Sequence, residues 1–396
     1  MTDGTRERLL RIIFAAGPGN VIGAHKFWRA GLADPSQMSV TFSSEFEAFC
    51  RDREVIALLI ASRSPPCRLV DGQFQIEHRP KAISQGIGYH FVEIGYGLRL
   101  LISAVRFRAD YAVIQSGTTH YFVLMLFSLF SIKVIPVLHN TLWPAGFRRR
   151  SILRRFLDNT DALFFRYFAS ATICVSPECA RQVEEATAGH CIRLLTIVPQ
   201  FDRAAFLLHP PPSSAVPFRL LFAGRIIREK GVFDLLDIIA MLEHRRPGAV
   251  TLCICGDGPE LELLRLKRDE LDLGRVIDIK GRVEPEALRQ LLVESHAAII
   301  PTRSGFEEGL AMTAVEPVLL GRPIVTNPVV PALELLQSAA VSAVTDDVMS
   351  YVDAILSLVD SPELYERLTL ACADLREQFF DSRKSFRDAL EKAIPQ

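Results

Sequence analysis

Residues 218–240, FRLLFAGRIIREKGVFDLLDIIA, decide the fold of this chain. The stretch begins with an apolar run over 218–223 that predicts a buried strand, and from residue 232 onward its apolar residues have helical spacing. The short loop between them carries Gly224, Arg225 and Lys230. A strand that passes through a short loop into a helix is the repeating unit of α/β proteins. The stretch therefore predicts a parallel sheet whose loops form a ligand crevice at the carboxyl ends of the strands.

The alternation of strands and helices continues on both sides of this stretch. Apolar runs downstream predict strands at 250–255, 276–279, 298–300 and 323–326, with helices between them. Apolar runs upstream predict strands at 9–15, 38–42, 111–115, 132–138, 171–175 and 194–198. We therefore expect an α/β protein built from two Rossmann-like, doubly wound domains.

A proline-rich segment, HPPPSSAVP at 209–217, separates the two halves and is typical of a stiff linker. The length of 396 residues also suits two domains. We predict an N-terminal domain over 1–212 and a C-terminal domain over 213–380. A last helix, within 381–396, is expected to pack back on the N-terminal domain.

The bulk composition excludes several classes of protein. With 49% hydrophobic residues the chain can bury large cores, which argues against disorder, and a formal net charge of -1 gives no global attraction to nucleic acid. None of the 8 cysteines forms a C-x-x-C pair, so we expect free thiols, no metal site and a reducing, cytoplasmic location. Lys133 and Pro136 interrupt the apolar run at 121–138, which favours a buried helix and strand over a membrane span.

The loop at 224–231 has the residues of an anion site. Gly224 lets the backbone turn closely. Arg225 offers a planar fork of donors that matches phosphate oxygens, and Lys230 adds a compact second cation. Both follow a strand of a predicted parallel sheet, where such folds bind their ligands. The alternative for this loop is a salt-bridged surface turn.

A second stretch, PTRSGFEEGLAMTAVEPVLLGRPIV at 301–325, adds carboxylates and a predicted helix at about 310–320. Gly309 is expected to open that helix, so that Gly309, Leu310 and Ala311 present amide N–H groups to an anion. Glu308 precedes the helix and Glu316 lies about two turns further along it, and carboxylates accept hydrogen bonds from sugar and ribose hydroxyls. The alternative is that the glutamates only compensate the helix dipole. Together, the two stretches predict a site for a nucleoside diphosphate that bears a sugar.

At this point the sequence resembles the glycosyltransferases of family 4, which have the two-domain GT-B fold. The motifs that carry the resemblance are GRIIREKG at 224–231, GDGPE at 256–260, KGRV at 280–283, EGLAMTAVE at 308–316 and GRPIV at 321–325. The resemblance is specific from about residue 218 to the C-terminal end and weaker before that. It implies that the N-terminal domain binds the acceptor and the C-terminal domain binds the nucleotide-sugar donor.

The resemblance also implies a role for particular residues. In that family the arginine and lysine of the first motif hold the donor diphosphate, which assigns Arg225 and Lys230. The first glutamate of the E-x7-E pair contacts the donor sugar and the second contacts the ribose, which assigns Glu308 and Glu316. The backbone at Val283 is expected to meet the base. Further donor contacts are expected from Gly224, Gly256, Gly309, Leu310 and Ala311.

Two N-terminal residues complete the expected site. His139, in PVLHNTLWP, follows a strand where the family often has a histidine near the donor sugar, and the alternative is a loop histidine at a strand end. Gly23 occupies the place of a glycine loop of the type P-x-x-x-G-G-A-E, although only one glycine of the pair is present and His25 replaces the glutamate. A rival interpretation of this loop is a dinucleotide-binding fingerprint, with Glu45 as the acidic residue expected about 20 positions further on.

The expected reaction follows from the resemblance. We expect a retaining, metal-independent hexosyltransferase that needs no cofactor and moves a sugar from a UDP-sugar to a saccharide or lipid-linked saccharide, in the synthesis of a polysaccharide such as an exopolysaccharide or of a glycolipid. The chain has no D-x-D motif, so Arg225, Lys230 and amide groups would neutralise the leaving diphosphate. The rivals are a nucleotide-sugar epimerase of the same fold, an NAD-dependent dehydrogenase, and a protein that binds the sugar nucleotide without turnover.

A basic segment, GFRRRSILRRFLDNTDALFFRYFASA at 146–171, predicts an amphipathic helix. Five of its six arginines lie in the region Arg148–Arg155 and would contact anionic lipid at the inner face of the membrane or a lipid-diphosphate acceptor. The alternative is a normal domain helix with a solvated basic face.

Overall fold

The computed structural model describes residues 8–147, 152–212 and 217–395, of which residues 152–156 are described by their backbone alone. The strands of the N-terminal half are β1 (Arg11–Ala16), β2 (Ile56–Ala61), β3 (Cys67–Asp71), β4 (Phe74–His78), β5 (Tyr111–Gln115), β6 (Lys133–Leu138), β7 (Thr172–Cys174) and β8 (Leu194–Thr196). They form a sheet in the order β3-β4-β2-β1-β5-β6-β7-β8. Neighbouring strands run parallel except β3 and β4, which form an antiparallel hairpin at one edge.

Helices cover both faces of this sheet. They are α1 (Val21–Arg29), α2 (Phe42–Asp52), α3 (Ile87–Phe107), α4 (Tyr121–Leu124), α5 (Ile152–Tyr167) and α6 (Pro177–Thr187). A 3-10 turn, Met125–Phe130, continues α4. Because the strand order runs outward from β1 in both directions and crossovers are right-handed, α1 and α2 lie on one face and α3, α4 and α5 on the other.

The C-terminal half repeats the architecture. Its strands are β9 (Phe218–Ala223), β10 (Val250–Cys255), β11 (Ile277–Gly281), β12 (Ala297–Ile300), β13 (Ile324–Thr326) and β14 (Ala340–Ser342). They form a parallel sheet in the order β11-β10-β9-β12-β13-β14. Its helices are α7 (Val232–Arg245), α8 (Leu261–Glu270), α9 (Pro285–Glu294), α10 (Met312–Leu319), α11 (Ala332–Leu336), α12 (Val348–Asp360), α13 (Pro362–Leu375) and α14 (Phe386–Ala393).

One predicted strand is wrong and four were missed, three of them near the N-terminus and one in the C-terminal half. Residues 38–42 form no strand, because Thr41 caps α2: its side-chain oxygen accepts a hydrogen bond from the Ser44 amide at 3.1 Å. The strands at Ile56–Ala61, Cys67–Asp71, Phe74–His78 and, in the C-terminal half, Ala340–Ser342 were not predicted. The first of them, IALLIA, is a short apolar run without alternation, which fits a buried helix as well as a strand.

The last helix, α14, packs against α2 of the N-terminal half. Glu45 of α2 accepts hydrogen bonds from the backbone N–H groups of Phe386 and Arg387 and from the Ser385 side chain, and burial raises the pKa of Glu45 to about 8. The Phe386 ring lies 6.2 Å from the ring of Phe14 in β1. The C-terminal segment is thus attached to the core of the N-terminal sheet. No helix in the described ranges is long and apolar enough to cross a membrane.

Candidate active site

The loops at the carboxyl ends of β9, β10 and β12 pack directly on one another. Gly231 begins α7 with a φ of +71°, and a methyl group on it would lie 2.1 Å from the Pro301 carbonyl oxygen after β12. A methyl group on Gly256 would lie 1.8 Å from the Gly224 carbonyl oxygen. These glycines let three ligand loops approach to backbone contact, so the loop at 224–231 has a defined shape.

Gly256→Ala is expected to destabilise this loop cluster. Gly256 has a φ of +151°, where a side chain is strained, and its methyl group would collide with backbone rather than with a movable side chain. We expect a loss of about 1–3 kcal/mol in the free energy of unfolding and weaker nucleotide binding, measured by denaturant unfolding and calorimetry. Gly274→Ala is the control, because nothing lies within 4 Å of its added methyl group. Equal losses in the two variants would contradict the packing argument.

Lys230 and Glu308 form an ion pair in which the two side chains are 11% and 10% exposed. Thr302 donates a hydrogen bond of 3.4 Å from its hydroxyl to the same Glu308 oxygen. The Lys230 ammonium also lies 4.6 Å from the centre of the Phe306 ring. The predicted cation and the predicted carboxylate are therefore adjacent, and a sugar phosphate placed here would meet both charges.

Arg225 is exposed, and its guanidinium lies 5.4 Å from the centre of the Phe306 ring. Within the described ranges it has no carboxylate partner. The neighbouring arginines differ, because Arg228 pairs with Glu260 at 3.0 Å and Arg303 pairs with Asp234 at 3.2 Å. The alternative interpretation of this loop as a salt-bridged surface turn therefore applies to Arg228. The N–H donors of Arg225 are not engaged by a carboxylate in the described ranges and are available to a ligand.

The segment before α10 approaches the N-terminal half. A methyl group on Gly309 would lie 1.7 Å from the His139 carbonyl oxygen, so the two backbones touch across the cleft. The prediction that Gly309 opens the helix is wrong, because α10 begins at Met312. Ala311 has a φ of +68°, which breaks the helical path, and Gly309, Leu310 and Ala311 form a buried turn that leads into α10.

His139 follows β6 on the N-terminal side of this contact. Its amide donates to the Ser116 hydroxyl at 2.9 Å, and its ring centre is 4.8 Å from that of Phe42. Burial lowers the pKa of His139 to about 4, so the imidazole is neutral at pH 7. Its Nε2 atom is shielded from solvent and has no hydrogen-bond partner among the described residues. A neutral imidazole with one unused nitrogen is suited to bind a hydroxyl group.

Glu316 lies on α10 and is buried. Burial raises the pKa of its carboxyl to about 8, although the nearby Arg289 acts in the opposite direction. Val283, the other residue assigned to the nucleoside, is half-buried just after β11.

The free enzyme should lose stability as the pH rises from about 4.5 to about 8. Because the pKa of Glu316 is raised by folding, the folded state binds more protons than the unfolded state in this interval, and its stability is fully present only below the unfolded pKa. Glu316→Gln is expected to weaken this dependence, measured as melting temperature against pH. Glu363→Gln, an exposed position on α13, is the control. If the melting temperature of Glu316→Gln fell with pH as steeply as that of the wild type, the result would contradict the burial of an ionisable Glu316.

In the glycine loop of the N-terminal half, residues 16–21 reach the cleft, whereas the sequence predicted Gly23. A cavity of about 310 Å³ is lined by residues 16–21, Gln115 and Met312, the first residue of α10. Gly23 itself lies in the first turn of α1, where Asn20 caps its amide at 3.1 Å. His25 points into the domain and bonds Glu47 at 2.9 Å and Asp71 at 3.1 Å.

The dinucleotide-binding interpretation of this loop is not supported by the geometry. It requires an acidic residue at the end of the second strand, but Glu45 lies within α2 and contacts α14. The second strand of the sheet is Ile56–Ala61, and it ends without an acidic residue. Within the described residues no group of three histidine, cysteine, aspartate or glutamate side chains could hold a metal ion.

Sequence reasoning missed a cavity of about 240 Å³ at the carboxyl edge of the N-terminal sheet. Its lining includes Tyr89, His90, His120 and Trp143, and from the C-terminal half Glu307, the neighbour of Glu308. The His90 and His120 rings stack at 5.0 Å and share a hydrogen bond of 3.0 Å. The aromatic residues are far apart in sequence, so no local motif could have indicated this cavity.

The comparisons with known proteins agree with this geometry. Residues 212–371 match the family model described as glycosyl transferases group 1. A glycogen synthase of Mycobacterium tuberculosis is 28% identical over 167 residues, which is 42% of this chain and 39% of that protein. A D-inositol 3-phosphate glycosyltransferase of Pseudarthrobacter chlorophenolicus is 29% identical over 238 residues, or 55% of this chain and 54% of that protein. The chain thus aligns with less than two thirds of the length of these relatives.

Similarity to solved structures extends over nearly the whole chain. A sucrose-phosphate synthase from Thermosynechococcus elongatus superposes with a TM-score of 0.71 at 13% identity, covering 97% of this chain and 98% of that one. Anabaena HepE in complex with UDP and glucose gives a TM-score of 0.66 at 16% identity, again over 97% and 98%. These similarities confirm the expected pair of doubly wound domains. Residues 212–371 are therefore similar to the glycosyl transferases group 1 family, and the chain as a whole has the GT-B fold.

Proposed function

We propose that the chain is a retaining glycosyltransferase of family 4 that moves a sugar from a UDP-sugar to a saccharide or lipid-linked saccharide. The observation that carries the proposal is the arrangement of charges at the cleft: exposed Arg225 beside the Lys230–Glu308 ion pair, opposite neutral His139. A nucleotide-sugar requires cations at its diphosphate leaving group. At its sugar ring it requires a hydrogen-bond acceptor for the hydroxyls and an uncharged imidazole.

In this proposal the C-terminal loops hold the donor. Arg225 and Lys230 bind the diphosphate, and no metal or cofactor is needed because their charges balance the departing UDP. Glu308 accepts hydrogen bonds from the sugar, and Glu316 binds the ribose. The backbone at Val283 meets the uracil. The glycine loops around Gly224 and Gly256 keep these groups in register, which lowers the entropic cost of orienting the donor.

The transfer step proceeds on one face of the sugar. The bond between the anomeric carbon and the UDP oxygen breaks while a bond to the acceptor oxygen forms. The acceptor proton passes to the departing phosphate oxygen, and the configuration is retained. His139 positions a hydroxyl of the sugar through its unused Nε2, and Arg225 with Lys230 stabilises the charge that grows on the diphosphate.

The acceptor and the cellular setting extend the proposal. The cavity beside Glu307 faces the donor loops from the N-terminal half and is the place for an acceptor saccharide. We assign the product to an exopolysaccharide or glycolipid made at the cytoplasmic face of the membrane. Of the basic segment predicted to contact lipid, Arg148, Arg149 and Arg150 lie outside the described residues, and Arg154 and Arg155 are described only as backbone within α5.

A donor screen tests the proposal. UDP-, GDP- and ADP-sugars are added to the full chain, and the melting temperature and the release of nucleoside diphosphate are measured. We expect UDP-sugars to raise the melting temperature and UDP release to depend on a saccharide acceptor. Isomerisation of the donor without an acceptor would indicate an epimerase instead. Binding without any turnover would indicate a silent sugar-nucleotide binding protein, and no response to any nucleotide would refute the site.

A further inference from the structure

Helix α3 has two apolar faces, of which the fold covers one. Its buried face, which includes Tyr96, Leu100 and Phe107, packs on the sheet. A second apolar stripe faces outward at intervals of three, four and seven residues, which place its members on one side of a helix. Its members are Ile87, Phe91, Leu98, Ile102 and Val105, all exposed. Ile87 is 77% and Phe91 70% exposed, although a helix on a soluble surface normally places polar residues there.

The outward stripe continues onto the next element along the same face. Helix α4 packs closely on α3, since a methyl group on Gly97 would lie 2.3 Å from the Thr119 hydroxyl and 2.9 Å from Val123. The 3-10 turn that continues α4 also contacts α3 and ends in an exposed apolar corner at Leu129 and Phe130. The stripe and the corner thus lie on two elements that contact each other, and grouped apolar residues of this kind differ from the single exposed apolar residues of ordinary surfaces.

Positive charge lines the other side of α3. A groove between α3 and the strands β2, β3 and β4 has one glutamate, Glu77, in its lining. The arginines that line the same groove are Arg11, Arg68, Arg79, Arg99 and Arg106. Five guanidinium groups against one carboxylate leave the groove strongly cationic, although the whole chain carries a net charge of only -1. Basic residues that border an apolar helix face are typical of helices lying in the interface of an anionic membrane.

We name this region the α3 surface; it comprises the outward stripe of α3, the corner at Leu129 and Phe130, and the arginine groove. We propose that the α3 surface binds a lipid bilayer that contains anionic phospholipids. The apolar side chains enter the headgroup region and the arginines bind lipid phosphates. The contact uses described residues and is separate from the basic segment at 148–155.

The position of the α3 surface also bears on the acceptor, and this step rests on the proposed transfer. Tyr89 and His90, in the first turn of α3, line the cavity of about 240 Å³ next to Glu307. Their neighbours Ile87 and Phe91 belong to the membrane-binding stripe. A saccharide attached to a bilayer lipid would therefore enter the cavity from the membrane, which favours a lipid-linked acceptor over a free one.

Vesicle sedimentation tests the α3 surface. The full chain is spun with phosphatidylcholine vesicles, with and without phosphatidylglycerol, at low and high salt. We expect binding to the anionic vesicles that weakens with salt. Ile87→Ser with Phe91→Ser should reduce partitioning by a factor on the order of ten or more, and Arg99→Gln with Arg106→Gln should reduce binding to the level of neutral vesicles. The control is Leu370→Ser, an apolar residue of α13 that is 66% exposed.

The outcomes separate this proposal from the proposed function. A UDP-induced rise in melting temperature, retained in every variant, shows that the variants fold and keep the donor site whether or not vesicles bind. Wild-type chain that stays in solution with both vesicle types overturns the α3 surface. Variants that bind vesicles as the wild type does also overturn it. If the variants instead changed from dimer to monomer on gel filtration while their binding to vesicles stayed unchanged, the stripe would be a contact with a second copy of the chain.

Discussion

Arg225→Ala is expected to lower turnover by a factor on the order of 10²–10³, as does the loss of another charge donor at a transition state. Arg225 is exposed, and it has no carboxylate partner among the residues that the structure describes. Its charge is therefore available to the diphosphate, whose negative charge grows as the sugar departs. Because the side chain has little packing to lose, the variant should fold normally. Steady-state kinetics of UDP release with a saccharide acceptor measure the effect.

Arg228→Ala is the matched control for this experiment. Arg228 belongs to the same loop and is similarly exposed, but its guanidinium is engaged by Glu260 at 3.0 Å. An exposed pair of this kind contributes little, so activity and melting temperature should stay near wild type. If both variants were equally active, Arg225 would have no part in the chemistry. If both were equally impaired, the loop would matter only through its overall charge.

The C-terminal half was predictable because its signals are local. Most strands there are short apolar runs, and residues 218–223 and 250–255, each followed by a glycine-bearing loop, match β9 and β10 residue for residue. The tight contacts of Gly256 and Gly231 explain why those loops contain glycine. A parallel sheet buried on both faces allows few other patterns, so the sequence predicted each strand of this sheet except the three-residue edge strand β14.

Pairings between distant residues were not predictable. Lys230 and Glu308 were assigned to different parts of the donor, yet they contact each other over a separation of 78 residues. Glu45 was the acidic residue of the rival dinucleotide-binding interpretation, but it contacts residues 385–387 at the C-terminal end of the chain. No spacing in the sequence encodes such contacts, because they depend on which strands and helices become neighbours in the folded chain.

The two faces of α3 show the same limit in another way. The helix has apolar residues on two of its faces, so its periodicity does not reveal which of them the sheet covers. Only the position of α4, set by the packing of Gly97 against Thr119, shows that the stripe from Ile87 to Val105 faces outward. The functional interpretation of an apolar sequence therefore required the tertiary arrangement.

Glu308→Gln is expected to lower kcat by a factor on the order of 10² with the fold intact. The amide keeps the size of the carboxylate and still accepts a hydrogen bond, but it loses the negative charge. In the proposed transfer, positive charge develops at the anomeric carbon in the transition state, and the Glu308 carboxylate would stabilise it. Lys230, only 11% exposed, also loses its counter-ion and becomes more available to phosphate. We therefore expect UDP to bind as tightly as before or more tightly.

Kinetics and calorimetry distinguish this result from simple damage to the cleft. Reduced kcat with retained UDP affinity is the expected pattern, since the proposed function assigns Glu308 to the sugar and not to the diphosphate. Glu260→Gln removes the partner of Arg228 in a pair that lies on the same loops but away from His139, so it controls for the loss of an ion pair as such. Wild-type kcat in Glu308→Gln would remove the carboxylate from the reaction. A parallel loss of UDP binding would instead show that Glu308 works by orienting Lys230.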